Sequence, residues 1–362
     1  MYVAKFAWAP AKRMLELDLL KHAKDNKVQG VVKVVAYREI TSVRDLREGL
    51  EFPERHRVRD TMADKDPHRN SSIKNTSGHK RKSSNEGPSN MSSKRRRFST
   101  GQPEAMWHTT NQEWENRIYS CVVVSPAGRV ISEFESIKEL LESMRDAIRA
   151  HQSLYMDGNI LHRDISANNT IITNSDTADG FKGMLIDLDL AKLLYNSPTE
   201  VRQQTSTMQF IAIEVLRRKI HTYRHDLESF FYVLLWMCAR TSWTKAEFKG
   251  GKNDGPVKAS KLEKWVKGNF EDIADNKHHH MGFNGFQDIL YEFPEAFKVV
   301  KLLCDRIRLL LFSWDKRGKM FLGTPTKPPH ELSSSILAEF DETMPEFLAK
   351  EVRLSKTKVS LV

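Results

Sequence analysis

The sequence predicts an α+β fold in two lobes, a small β-rich one and a larger helical one. Three observations carry this. Tyr2 to Ala7 and Gly30 to Tyr37 are rich in Val and aromatic residues with period-two alternation, which marks strands. Beyond Ser136 the apolar positions Ile137, Leu140, Leu141, Met144, Ile148 and Leu154 keep helical spacing. At 362 residues the chain also exceeds the length at which a single core usually stops growing.

Between the first two strands, Met14, Leu15, Leu17, Leu19 and Leu20 predict an amphipathic helix from about Pro10 to Lys24, with Pro10 suited to the first turn. Residues 1–54 are read as part of the small lobe. Residues 55–105 are rich in Ser, Asn, Lys, Arg and Gly and poor in apolar side chains, so the expectation there is a disordered insert. The small lobe resumes over 106–132, with Arg117 to Val124 as a strand, Ser125 to Gly128 as a turn and Val130-Ile131 as a short strand. The larger lobe covers 133–322. Ser136 is its first N-cap, with Glu139 three residues on to complete a capping box. A second, buried helix with a long apolar run is expected over 226–239, and further helical patterning runs from Ala296 to Leu311. The stretch Lys249 to Gly255 reads as a loop, as does the one around His278-His279-His280, where neighbouring histidines cannot converge on one metal ion unaided. Residues 323–334 read as a linker and 335–362 as a helix.

Net charge is +10, but residues 55–97 hold thirteen Lys or Arg against four Asp or Glu, so nearly all the excess lies in the insert. Basicity confined to one segment argues against specific nucleic-acid binding by the folded part. Lys80-Arg81-Lys82 and Lys94-Arg95-Arg96-Arg97 have the form of a bipartite nuclear-import signal, read by an import receptor over 80–97; a solvated basic loop is the alternative. Ser99, after Arg96-Arg97-Phe98, has the form of a basic-directed phosphorylation site. Only Cys121, Cys238 and Cys304 are present, which excludes a disulfide framework and implies a reducing compartment. No apolar run is long enough to span a bilayer. The expectation is a soluble protein of nucleus and cytoplasm without membrane partners.

The chemistry is concentrated in Ile160-Leu161-His162-Arg163-Asp164-Ile165-Ser166-Ala167-Asn168-Asn169 and Leu185-Ile186-Asp187-Leu188-Asp189. An Asp five residues before an Asn, then a second Asp ending an apolar strand, is an arrangement that serves phosphoryl transfer: one carboxylate at the acceptor hydroxyl, two oxygen ligands for Mg²⁺. Behind it follow a polar stretch, 196–209, then Phe210-Ile211-Ala212-Ile213-Glu214-Val215-Leu216, then His225-Asp226-Leu227-Glu228 opening the apolar helix.

These segments, with Phe134 to Leu141 and Arg224 to Trp236, resemble the fungal-type protein kinase family, a divergent branch of the protein-kinase-like fold, over roughly residues 110 to 240. The resemblance implies ATP and Mg²⁺ as cofactors and a protein substrate phosphorylated on Ser or Thr. It implies Asp164 as the base, with Arg163 and Ser166 beside it, and Asn169 and Asp187 as metal ligands. Lys5 and Glu16 are the pair expected to hold the phosphates, and the backbone of Val124, Ser125, Pro126 and Ala127 the hinge that meets adenine. His162 and Asp226 have structural roles, Asp226 by accepting backbone N–H groups of the 162–164 loop. Glu214 is expected to anchor the activation segment on Arg306 or Arg308. Thr205 and Ser206 are read as phosphoacceptors whose phosphate Arg163 would meet, and Thr207 as a contact of Asp164.

Two substitutions set the chain apart from most kinases. Ser166 stands where a phosphate-steadying Lys is usual, and Asp189 where a glycine follows the metal-loop pair. No Gly-x-Gly-x-x-Gly occurs, and a strand pair with a glycine-rich loop has no room before Lys5, so the expectation is a small lobe lacking that loop. Three function classes stay open: a protein kinase, a pseudokinase scaffold and a small-molecule phosphotransferase. The long activation segment favours the first.

Overall fold

The computed structural model describes residues 1–50, 115–195, 207–248, 255–325 and 328–359. The insert with its basic clusters and Ser99, the loop 249–254, and Thr205 and Ser206 lie outside the described residues. Residues 1–43 and 116–362 form one compact unit; residues 44–115 form a second, of which the described part is the end of a short helix and a turn.

Strand β1 (Val3–Pro10) leads to helix α1 (Glu16–Asp25), strand β2 (Lys33–Ser42) and the short helix α2 (Val43–Arg47). After the insert, β3 (Arg117–Ser125) lies between β1 and β2, antiparallel to both. α1 starts six residues later than its apolar pattern predicts. Pro10 belongs to β1 instead, because the β1–β3 ladder runs from Val3↔Val124 to Pro10↔Arg117, and the Asp18 carboxylate accepts the Leu15 N–H at 3.3 Å where the helix begins.

The short strand β4 (Arg129–Val130) ends at a 3₁₀ turn over Ile131–Glu133, and α3 (Ile137–Met156) follows. Ser136 caps α3 by accepting the Glu139 N–H at 3.0 Å. Glu139 does not return the bond to Ser136; its carboxylate takes the Glu135 N–H at 2.7 Å and the Arg129 guanidinium at 2.6 Å. Next come β5 (Ile160–Leu161), β6 (Thr170–Ile172), β7 (Gly183–Leu185) and β8 (Lys192–Leu193), with sheet order β4-β6-β7 and the pair β5-β8. Gly183 lets β7 cross α3, since a Cβ there would lie 1.8 Å from the Ser143 carbonyl oxygen. Gly30 (φ +71°) lets the α1–β2 connection lie against Ala150, and Gly30 and Val32 exchange backbone hydrogen bonds with Leu185. That junction carries the first sheet to the residues just before Asp187.

The helical part comprises α4 (Ile213–Leu216), α5 (Tyr223–Ala239), α6 (Phe270–Met281), α7 (Phe283–Tyr291) and α8 (Lys298–Leu311), then β9 (Ser313–Trp314), β10 (Met320–Phe321) and α9 (Pro329–Val359). α5 is buried on every face, as its apolar run requires, but begins at Tyr223, where the His225 ring accepts the Thr222 N–H at 3.0 Å. The His278–His280 stretch is helix rather than loop. Asn269 caps α6 through the Asp272 N–H, and Ile273, Ala274, Lys277, His280 and Met281 form its buried stripe. α9 likewise begins inside the expected linker.

Candidate functional site

β1 turns Lys5 toward α1, and Glu16 is presented from the first turn of that helix. The Lys5 Nζ lies 2.8 Å from Glu16 Oε2, 2.9 Å from Asp187 Oδ1 and 2.7 Å from Asp189 Oδ2. The other Glu16 oxygen accepts the Leu188 N–H at 3.0 Å, so α1 is clamped to the loop that carries both aspartates. One ammonium thus faces three carboxylates. Burial works against the Lys5 charge, but the fields of Glu16 and Asp187 outweigh it and raise its pKa. The Glu16 carboxyl is also raised, first by burial and then by Asp189 and Asp187, against the pull of Lys5. The Lys5 shift reflects the carboxylates around it, and the three carboxylates can each offer an oxygen within 4.8 Å of the others. Charge and oxygen donors of this kind fit a hard divalent cation such as Mg²⁺.

The second half of the site is a loop held at both ends. Asp226, fully buried at the start of α5, accepts the N–H groups of His162 and Arg163 at 3.1 Å. It also takes the Nε2 of His151 at 3.0 Å and of His221 at 2.7 Å. Burial would raise its pKa, yet His221 and His151 hold it well below the usual carboxylate range. His162 ties the loop to the neighbouring strand: Nδ1 accepts the Asp164 N–H at 3.3 Å, which leaves Nε2 to donate to the Ile186 carbonyl at 3.2 Å. Burial lowers its pKa, consistent with that neutral tautomer.

Asn169 closes the arrangement. Its Nδ2 donates to the Asp164 carbonyl at 2.8 Å and to the Asp164 carboxylate at 2.9 Å, which orients both side chains. The Ile186 N–H donates to the Asn169 carbonyl at 3.1 Å, and Thr170 pairs with Leu185, so the β6–β7 ladder sets Asn169 beside the Asp187 loop. Arg163 (φ +69°) and Asp187 (φ +66°) both take the left-handed backbone that costs a non-glycine residue about 1 kcal/mol or more.

The remaining expected residues are placed as follows. Ser166 is buried under the loop, and its carbonyl accepts the Thr170 hydroxyl at 3.1 Å. Val124 pairs with Val3 and Val34, while the Ala127 N–H and the Ser125 hydroxyl reach the Met1 carbonyl at 3.2 and 3.4 Å. Pro126 follows Ser125 in a cis peptide. Thr207 precedes a 3₁₀ turn over Met208–Phe210.

Glu214 has a different partner from the expected arginines. It accepts from His225 at 3.1 Å, and that hydrogen bond, more than any other influence, lowers its pKa. Arg306 faces Glu339 and Glu342 instead, and Arg308 pairs with Asp305 and the Met281 carbonyl. The buried anchor is Glu228: it takes the Ile213 N–H at 2.7 Å, the Arg224 guanidinium at 2.5 Å and the Tyr232 hydroxyl at 2.7 Å. Its i,i+4 spacing from both Arg224 and Tyr232 on one helix was the available sequence signal. His151 and His221 carried no comparable signal, since they meet Asp226 only through the tertiary fold.

The family model for fungal protein kinases matches residues 1–238, well over half of the chain. The chain belongs to the fungal protein kinase family. The match takes in the first strand with Lys5, the helix with Glu16, both acidic loops and most of α5, so the Lys5, Asp164 and Asp226 clusters fall within the family's own extent. A comparison with curated proteins finds no match. No helix among the described residues is long and apolar enough to cross a membrane.

Proposed function

We propose that the protein transfers phosphate from ATP to Ser or Thr hydroxyls of protein substrates, in a two-lobed arrangement with the site between the β1–β3 sheet and the helical part. The observation that carries this is the double hydrogen bond from Asn169 to Asp164, made beside the loop that pairs Asp187 with Lys5. Asp164 is the group that orients the acceptor hydroxyl and takes its proton, and Asn169 fixes its carboxylate. Asp187 and the Oδ1 of Asn169 would hold Mg²⁺, with Asp189 and Glu16 adding negative charge nearby. Bound there, the ion would offset charge on the phosphates of ATP. Lys5 is placed to meet the same phosphates once it leaves an aspartate. Asp226 and His162 keep the loop rigid, which preserves the position of the base.

A scaffold that binds ATP weakly is the second reading, favoured by one observation: Lys5 is engaged by Asp187 and Asp189 together. Phosphoamino-acid analysis of dephosphorylated casein incubated with the protein, Mg²⁺ and labelled ATP separates the two. Label on Ser or Thr supports the enzyme; label on neither supports the scaffold. Nuclear import through 80–97 is proposed alongside, and replacing Lys94, Arg95, Arg96 and Arg97 with Ala in a fluorescent fusion should move it to the cytoplasm.

A further inference from the structure

Lys277 lies beyond the residues that the family model matches, and it occupies an unusual place for a lysine. It sits in the apolar stripe of α6 between Ile273 and Met281, and its side chain is 0 % exposed. An isolated ammonium in such a site is costly unless every donor has an acceptor. Here Nζ donates to the Ile211 carbonyl at 2.6 Å and to the Met208 carbonyl at 3.3 Å. It also lies 4.3 Å from the centre of the Tyr232 ring and 5.3 Å from that of Trp265. The two rings stand edge to face, 4.9 Å apart, and the Trp265 N–H is fixed on His280 at 2.9 Å. The cradle is therefore built from α5, α6 and the 3₁₀ turn before it.

What the cradle grips is the segment from Met208 to Ile213, which enters α4. Lys277 takes its carbonyls at 208 and 211, and Glu228 takes its N–H at 213. Tyr232 joins the two grips, since its ring faces Lys277 and its hydroxyl donates to Glu228 at 2.7 Å. A carboxylate is acceptor-only and could not hold these carbonyls, whereas the Lys277 amine donates to both. A donor with several N–H groups can collect two carbonyls of one turn. Burial pushes the Lys277 amine well down, with Glu228 opposing, and a neutral amine still has two N–H groups for these two carbonyls.

We propose that Lys277 is a positioning residue for the protein substrate: it fixes the 208–213 segment as a rigid platform for the acceptor chain. This rests on the kinase reading, in which that segment follows the activation loop and precedes Glu214. Because the cradle touches neither the Lys5 cluster nor Asp164, its loss should act on the protein substrate and leave nucleotide binding alone.

The test compares the unaltered full chain with Lys277→Met, which fills the slot between the rings without a donor, and Lys277→Gln, which restores an NH₂ donor. Hydrogen exchange at 208–213 should rise at least tenfold in the Met variant and return part of the way in the Gln variant. With dephosphorylated casein as probe, KM for casein should rise about tenfold in Lys277→Met while KM for ATP stays unchanged. Unchanged exchange at 208–213, or equal changes in both KM values, overturns the proposal. If the unaltered chain phosphorylates no casein, the kinase reading and the substrate role fall together. The exchange measurement then still decides whether Lys277 holds the segment.

Discussion

Lys5 Nζ is closer to Asp189, at 2.7 Å, than to Asp187, at 2.9 Å, although Asp189 stands where most kinases place a glycine. A third carboxylate therefore competes for the Lys5 ammonium, the group that the proposed function assigns to the phosphates. With its ion pair only partly buried, the competition is a modest one.

Removing that competitor should strengthen nucleotide binding. For Asp189→Gly the expected change is roughly three- to tenfold tighter Mg-ATP affinity, the ~1 kcal/mol scale of a partly exposed ion pair. Titration calorimetry measures it directly. Weaker binding would instead make Asp189 a necessary cation ligand.

Asp226 holds the 162–164 loop through four donors: the N–H groups of His162 and Arg163 and the rings of His151 and His221. Asp226→Asn removes the charge that His151 and His221 stabilise and replaces two acceptor oxygens by one. A loss of about 3–5 kcal/mol is expected, as for breaking a buried ionic cluster. Urea denaturation followed by Trp fluorescence would register it, and a midpoint within error of the unaltered protein would contradict the structural role.

Acid should destabilise the protein in two stages. His162 and His221 are held neutral by burial, and burial brings His280 down to about 4. A histidine with a lowered folded pKa binds more protons when unfolded, so its contribution is present above about pH 6.5 and is lost as pH falls below it. Asp226, whose pKa is likewise lowered, contributes above about pH 4 and loses that contribution only on further acidification. Tm should therefore fall between pH 7 and 5 and again below 4. His280→Asn keeps an acceptor for the Trp265 N–H without titrating, and it should flatten the first stage. A slope equal to that of the unaltered protein would exclude His280 as a contributor.

The sequence made the long helices legible because their signal is local: α3 needs only its 3.6-residue stripe and Ser136, and α5 only its unbroken apolar run. Elements decided by distant partners were harder to read. Pro10 reads as a helix start until Arg117 claims it for a strand, and the three histidines read as a loop until Asn269 caps the helix beneath them. The site followed the same division. The spacing of Asp164, Asn169 and Asp187 along the chain suffices to bring them together through the short β6–β7 hairpin. The partner of Glu214 does not follow from spacing, since Arg306, Arg308 and His225 are all possible until α5 and α8 are packed. Lys277 was hidden for a related reason: a lysine in an apolar stripe reads as a surface residue unless the carbonyls that receive it are known.

The proposed division of labour, Asp164 acting on the acceptor hydroxyl and Asp187 holding the cation, is tested by comparing three proteins. Mg-ATP affinity and phosphate transfer to casein are measured for the unaltered chain, Asp164→Asn and Asp187→Asn. Asp164→Asn should keep its affinity and lose transfer by roughly 10²–10⁴-fold, the scale of a positioned base. Asp187→Asn should lose both, because an amide replaces a charged oxygen ligand. Equal transfer by all three proteins, or loss of affinity in Asp164→Asn alone, would contradict the assignment.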